Sequence, residues 1–568
     1  MDFKKYENVK IKDLPYERYT IEQAKESFNK FFTAAENAKS ADDILAAREK
    51  YVLKAKNSFG TASSLANARF TQNTRDEFYD GEVTYYDEVS PAFSGLYVKY
   101  VDVMLSSPFR KELEEKLGKV LYRTFEFEKA SYNDIIEEDV KQENAYSTEY
   151  VKLLSTVECD FRGEKKPLAY VRGFLEDKDR AVRKAAAESI GKAMQAHAEE
   201  FDDVFDRLVK VRDKMAKKMG YKNFTELGYY RMGRIDYDRE AVEKFRENVV
   251  SAITPVVKDM KKDVAQKLGI DKIKFYDDAV YSKDEVPTRD CSVEEFFNRA
   301  EEMYSDMDKD LSALFSRMVN EEAFDVIPRD GKTGGGYCTT FEDFGKIFIL
   351  ANFNGASGDI DVITHEFGHA IAMNYAMQKN GDELGIGGCE TAECHSMSME
   401  FIAWPYMDKF FGSLASAYRR KHLSDALTFI PYGCIVDEFQ HEIYDHPEMT
   451  PAERNALYLR LSKKYRPYLS YDGIPYLEKG TRWQFQAHIF ESPFYYIDYC
   501  LAETVALGFL ALSRKDYKLA LEKYKEMCKT GGEKFFSDIV KTAGIAYPFG
   551  DGTLNTLADD MKEVLSTL

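Results

Sequence analysis

Residues 357–381 read SGDIDVITHEFGHAIAMNYAMQKNG, and the rest of the chain is best understood outward from them. Ile360, Ile363, Phe367, Ala370 and Ile371 recur at the 3.6-residue spacing of an amphipathic helix. Ser357 or Asp359 stands where such a helix needs a cap, and Gly381 where the chain can leave it. Inside the helix, His365-Glu366-Phe367-Gly368-His369 is an H-E-x-x-H sequence. Residues four apart on a helix share one face, about 5–6 Å apart at Cβ. Both imidazoles can therefore reach one Zn²⁺ at about 2.0–2.1 Å. Glu366 sits beside them, suited to take a proton from an attacking water and return it to a leaving amine. Gly368 costs about 1 kcal/mol relative to Ala in a helix interior, which points to a ligand or a neighbouring backbone passing close by.

A catalytic zinc takes three protein ligands and keeps one position open. The longer continuation HExxHxxGxxH fails, because Ala372 and Tyr375 occupy its last two defined positions. Downstream, ETAECHSMSME at 390–400 reads as a helix with Glu390, Glu393, Ser396 and Glu400 along one face. Glu393 is the expected third ligand, with His395 and Glu390 as rivals. Asp361, Glu390 and Glu400 are the candidates to orient the imidazoles through their free ring N–H groups.

Upstream of the motif, RDGKTGGGYCTTF at 329–341 and KIFILANF at 346–353 predict a small sheet. The second run is β-branched and aromatic and could take up an extended peptide as an added strand. The first half of the chain is helical in pattern. Residues 20–56 predict one long helix, with Ile21, Ala24, Phe28, Phe31, Phe32 and Ala35 on one face and Thr20 with Gln23 as a capping box. Similar patterns cover 97–117, 135–154, 180–218 and 239–268, with no fixed-period repeat.

Composition bounds the partners. The 568 residues are 44% hydrophobic and 14% aromatic, with 15 prolines and no flexible linker, so one continuous folded body is expected. A soft boundary near 200 separates an N-terminal helical region, 1–200, from a region carrying the motif, 201–568. The net charge of −19 disfavours nucleic acid and anionic lipid. The most apolar window, 501–512, is broken by Glu503 and reads as a core helix, so no membrane partner is expected. The N-terminus has no apolar leader, which makes the cytoplasm the expected location. Eight scattered cysteines, with no CxxC pair, read as reduced thiols.

Glu393 follows His369 by 24 residues, within the pattern E-x-x-S-x-x-x-E formed by Glu393, Ser396 and Glu400. With HEFGH, this resembles the thimet oligopeptidase and oligoendopeptidase F family of zinc metallopeptidases. The likeness extends to KNFTELGYYRMGRIDYDREAVEKF at 222–245, HIFESPFYYIDY at 488–499 and GGEKFFSDIVKTAGIAYPF at 531–549. Roughly residues 200–568 are covered, and the first 200 agree in being helical. The gap between His488 and the following tyrosines is one residue shorter than in the thimet branch, which is nearer the oligoendopeptidase F branch.

The resemblance implies a mainly α, multi-helix, zincin-like metallopeptidase with a small sheet beside the HExxH helix. N-terminal helices would close over a deep channel that admits short unstructured peptides. It implies that His365, His369 and Glu393 bind one Zn²⁺, with Glu366 as general base and acid. It further implies that His488, Tyr496 and Tyr499 face the peptide and stabilise the oxyanion, with Tyr495 competing for a tyrosine's role. Such a donor can contribute several kcal/mol. The expected activity is cleavage of internal bonds in short peptides. The alternatives are a zinc carboxypeptidase of related helical fold and a noncatalytic peptide-binding protein with a structural metal; the second would not need Glu366.

Three other patterns read as bland. Gly331-Lys332-Thr333 lacks the earlier glycine of a phosphate-binding loop, since Val326 stands there. Gly385-Ile386-Gly387 reads as a flexible loop between the two metal helices. His441 and His446 read as surface histidines, with Pro447 just after the second.

Overall fold

Apolar residues at helical spacing run through most of the chain. The computed structural model, which describes residues 3–283, 285–379 and 383–568, is accordingly helical with only small sheets. Its contacts group into two compact units. One comprises Met1–Tyr132, Pro287–Ala415 and Val505–Ile545, the other Asn133–Val286, Ser416–Thr504 and Ala546–Leu568. The division read at residue 200 follows the chain, whereas each unit is assembled from three separate segments.

In the first unit the capping box forms as expected. The Gln23 N–H donates to Thr20 Oγ1 at 3.2 Å and the Thr20 N–H to Gln23 Oε1 at 2.7 Å. The single helix expected over 20–56 does not form. Ile21–Glu36 ends, Ser40 caps a new start at Ala41–Ala47, and a π-helical stretch, Arg48–Leu53, leads into Lys54–Gln72. A π turn shifts the register without breaking the chain of apolar positions, so periodicity alone hides it. Phe28, Phe31, Tyr100, Met104 and Phe125 form the core of these helices.

The sheet in this unit has three strands. Lys346–Leu350 lies between Phe324–Asp325, parallel to it, and Tyr337–Phe341, antiparallel with Tyr337 opposite Leu350. All five residues of Lys346–Leu350 are buried. This corrects the expectation that residues 346–353 receive a peptide: the strand is central, and the edges of the sheet are Phe324–Asp325 and Tyr337–Phe341. Lys332 is equally structural. Its ammonium is fully buried and donates to Asp325 O, Asp325 Oδ1 and the Ala351 carbonyl at 2.9, 2.9 and 2.6 Å, which ties the glycine-rich turn to the sheet.

The HExxH helix, Gly358–Met377, packs against this sheet and against the helix Cys389–Ile402. Its start differs from the expectation. Ser357 precedes it without a side-chain cap, and Asp359 instead fastens the preceding turn by accepting from the Asn354 and Gly355 N–H groups, both at 3.0 Å, and from Arg289 Nε at 2.8 Å. Gly381, the expected terminator, lies outside the described residues. The described part of the following loop is tied down rather than loose. Tyr100 Oη donates to Glu383 at 3.1 Å, Lys56 Nζ to the Glu383 carbonyl at 3.0 Å, and Gly532 N to Gly385 O at 3.1 Å.

The second unit contains a hairpin that helical patterning does not reveal, Glu158–Phe161 with Glu164–Pro167. Its two-residue turn, Arg162-Gly163, has φ of 54° and 82°, the left-handed pair that a tight hairpin requires. Trp483, fully buried, packs among Phe205, Phe439 and Phe490. His441 is here a correction: it is 1% exposed and bonds Tyr229 Oη at 2.9 Å and Arg246 Nη1 at 3.0 Å. His446 is exposed, as expected. The apolar window at 501–512 falls within Tyr496–Lys515, a helix long and apolar enough to cross a membrane by length and composition. Its most apolar stretch is 72% buried inside the protein, as suits a core helix.

Candidate metal centre and active site

Two helices of the first unit build the site. His365 and His369 project from one face of Gly358–Met377, and Glu393 meets them from Cys389–Ile402. Glu393 Oε2 lies 3.4 Å from His365 Nε2 and 3.6 Å from His369 Nε2. Gly368 makes this approach possible. A Cβ there would stand 2.6 Å from the His395 carbonyl oxygen and 2.7 Å from Ser396 Cα, so the passing object that the glycine predicted is the backbone of the partner helix.

The donor set fits a zinc ion. One atom from each of His365, His369 and Glu393 lies within 4.8 Å of the others. Tetrahedral ligands at about 2.0–2.2 Å stand about 3.4 Å apart, close to the two measured separations. His365 Nδ1 is 2.8 Å from Glu400 Oε1, which leaves Nε2 for a metal. Ser396 Oγ donates to Glu393 Oε2 at 3.0 Å and steadies that carboxylate. Of the three carboxylates expected to orient the imidazoles, Glu400 takes this position. Neither rival ligand joins the group: His395 is fully buried and Glu390 is not among the converging donors.

With the protein's own charges alone, the site is polarised. Burial pushes the Glu366 carboxyl up to about 7, with His365 opposing and Glu393 and Glu400 reinforcing the rise. Burial pushes His369 down to about 4, keeping the neutral imidazole that a metal requires. For His365 burial acts in the same direction but is outweighed by Glu393 and Glu400, which hold its pKa well above the ordinary value. The two carboxylates thus favour positive charge at the point where the three donors meet.

Glu366 also borders the sheet. A Cβ on Gly336 would lie 3.5 Å from Glu366 Oε1, so the edge strand Tyr337–Phe341 begins beside that carboxylate. Gly336 belongs to the glycine run visible in the sequence, but only the fold shows which side chain it borders.

Within the second unit, His488 sits among the tyrosines named with it. Its ring centroid is 5.0 Å from Tyr496, 5.8 Å from Tyr495 and 6.0 Å from Tyr499. All three tyrosines touch the imidazole, so contact with His488 does not single one out. Gln486 Nε2 donates to His488 Nδ1 at 2.9 Å, and Tyr432 Oη donates to Gln486 Oε1 at 2.6 Å. This relay escaped the reading of the sequence, where Gln486 carries no signal beyond its place two residues before His488.

Fold and site together define a mainly helical protein whose H-E-x-x-H helix contributes to a His-His-Glu group able to hold a metal ion. Comparison with known proteins places it further: peptidase family M3 matches residues 174–559 and the peptidase M3 N-terminal domain matches residues 11–132, and the chain belongs to peptidase family M3. Oligopeptidase PepF of Bacillus subtilis (strain 168) is 21% identical over 386 residues, 66% of this chain and 55% of that protein. An oligoendopeptidase F homolog of Borreliella burgdorferi is 25% identical over 240 residues, 41% of this chain and 40% of that protein. The chain thus spans about half the length of the curated relatives it matches. A solved structure, PZ peptidase A with inhibitor 2, is 40% identical, with a TM-score of 0.93 over 98% of this chain and 99% of that one. The motif-based resemblance holds, and it reaches further than residues 200–568, because the N-terminal helices match as well.

Proposed function

We propose that this chain is a zinc-dependent endopeptidase that hydrolyses internal bonds of short, unstructured oligopeptides. The convergence of His365, His369 and Glu393 beside the Glu366 carboxylate is the observation that carries this reading. Zn²⁺ held there would act as a Lewis acid toward the attacking water and the scissile carbonyl. Glu366 takes the proton from the water and passes it to the leaving amine. An extended peptide adds to the free edge of Tyr337–Phe341, so its backbone runs past Glu366 at Gly336. Main-chain pairing of this kind accepts many side chains. His488 donates to the developing oxyanion together with one or more of Tyr495, Tyr496 and Tyr499. Acceptance of the Gln486 bond at Nδ1 leaves its Nε2 carrying the proton.

The substrate channel, with the size limit it sets, and a cytoplasmic site of action belong to the same proposal. A peptide blocked at both ends tests it. The zinc-loaded protein should cut it internally, lose that activity on chelation and regain it with Zn²⁺. A carboxypeptidase would leave the blocked peptide whole and trim its free-acid form, and a peptide-binding protein would cut neither.

A further inference from the structure

Glu383 lies in the loop between Gly358–Met377, which carries His365 and His369, and Cys389–Ile402, which carries Glu393. Side chains from the N-terminal helices of the same compact unit converge on it. Arg48 donates to Glu383 Oε2 through Nε at 2.9 Å and also through Nη2, Tyr100 Oη donates to Oε2 at 3.1 Å, and Tyr97 Oη to Oε1 at 3.2 Å. Lys56 Nζ donates to the Glu383 carbonyl at 3.0 Å. The Glu383 side chain is fully buried, and Arg48 is 6% exposed. Across the loop stands the turn Gly531-Gly532. The Gly532 N–H donates to Gly385 O at 3.1 Å, and Cβ atoms would stand 2.9 Å from Gly385 O at 531 and 2.7 Å from Leu384 at 532.

A buried ion pair adds little net stability, because lost hydration offsets the attraction, so its contribution is to favour one arrangement over others. Here the arrangement is imposed on the few residues that lead into the Glu393 helix. Arg48 also opens the π-helical stretch Arg48–Leu53, a turn type that is rare and concentrates at functional sites. Held at Glu383 from one side and at Gly385 from the other, the loop cannot slide without breaking buried hydrogen bonds. Metal–ligand distances hold within about 0.2 Å, so a small displacement of the Glu393 helix is felt where Glu393 meets the two imidazoles.

We propose that Arg48, acting through Glu383, is a positioning residue for the metal group. It sets where the Glu393 helix begins, and it couples metal occupancy to the packing of the N-terminal helices. The coupling is reciprocal: whatever the Arg48–Glu383 contact adds to metal binding, bound metal adds to the stability of that contact. This rests on the metal-binding reading above and deepens it.

The test uses the full chain, stripped with a chelator and reloaded with Zn²⁺ or Co²⁺. Glu383→Gln keeps the shape and loses the charge, Arg48→Lys keeps the charge and loses the paired N–H groups, and Tyr97→Phe removes one hydroxyl with the least risk to folding. Zinc affinity of Glu383→Gln, read by chelator competition, should fall about 10–100-fold, as it does when groups that orient metal ligands are lost. The visible absorption of its cobalt form should change in intensity. Arg48→Met should match Glu383→Gln, Arg48→Lys should recover part of both properties, and Tyr97→Phe should shift them the same way by less. On zinc loading, hydrogen exchange of the wild type should slow at residues 48–56 as well as at 383–400, and that of Glu383→Gln at 383–400 alone. A pair that only holds the fold would lower the melting temperature of the stripped variants and leave zinc affinity, cobalt spectrum and the exchange response at 48–56 as in the wild type. That result in Glu383→Gln and Tyr97→Phe would overturn the proposal. Failure of the wild type to take up zinc would sink the metal-binding reading and this inference together, whereas normal uptake with unaltered affinity in the variants sinks the positioning role alone.

Discussion

At the residue scale, Gly368 and Glu400 support the converging His365, His369 and Glu393 from outside the group. Any Cβ at 368 collides with the backbone of the helix that carries Glu393. Gly368→Ala should cost about 1–3 kcal/mol, as overpacking does, and lower bound zinc, measured by thermal unfolding and metal analysis. Glu400→Gln keeps the shape but loses the charge on His365 Nδ1, and should weaken zinc binding about 10–100-fold in a chelator competition with little change in melting temperature. The H-E-x-x-H ligands were legible because their geometry is local, one turn of one helix. Glu393 was legible through its spacing on a second helix. The burial of His441 was not, because what makes it a structural residue is the company that distant segments bring to it.

At the element scale, helices were readable and their interruptions were not. The π-helical stretches Arg48–Leu53 and Val249–Ile253 preserve apolar periodicity while shifting it, and the hairpin turn at Arg162-Gly163 is a dipeptide signal within a helical context. The sheet was foreseen, but its strand order was not. Which strand is central depends on pairing across the 324–350 region, and an apolar run such as Ile347–Leu350 fits a buried central strand better than an open edge. Asp325 locks the turn beside this sheet through Lys332 and Arg329. Burial alone would raise its carboxyl pKa, but these partners and Gln72 lower it from 3.8 to about 2. Because the folded-state pKa is depressed, the stabilisation is present above the unfolded value and fades as pH falls toward the folded one. The stability difference between wild type and Asp325→Asn, from urea unfolding, should hold constant from neutral pH down to about 5 and shrink from there to about 2.

At the scale of the whole molecule, the charge of −19 predicts a field that draws in cationic peptides. At low ionic strength kcat/KM for a lysine-rich peptide should exceed that for its acidic counterpart, and the gap should close at about 0.5 M salt, where screening is short-ranged. The overall class was legible because helix content, the motif helix and the downstream glutamate are all written in local patterns. The assembly of each unit from three separated segments was not, since nothing local records which distant helices share a core.

In the proposed mechanism a metal bound by His365, His369 and Glu393 works with Glu366 to cut internal peptide bonds. The most direct measurement compares wild type and Glu366→Gln for zinc content and for cleavage of an internally quenched peptide blocked at both ends. Equal zinc is expected in both proteins, with internal cleavage by the wild type and a rate at least about 100-fold lower in the variant, as loss of an acid–base group requires. Comparable cleavage by the zinc-loaded variant would contradict it.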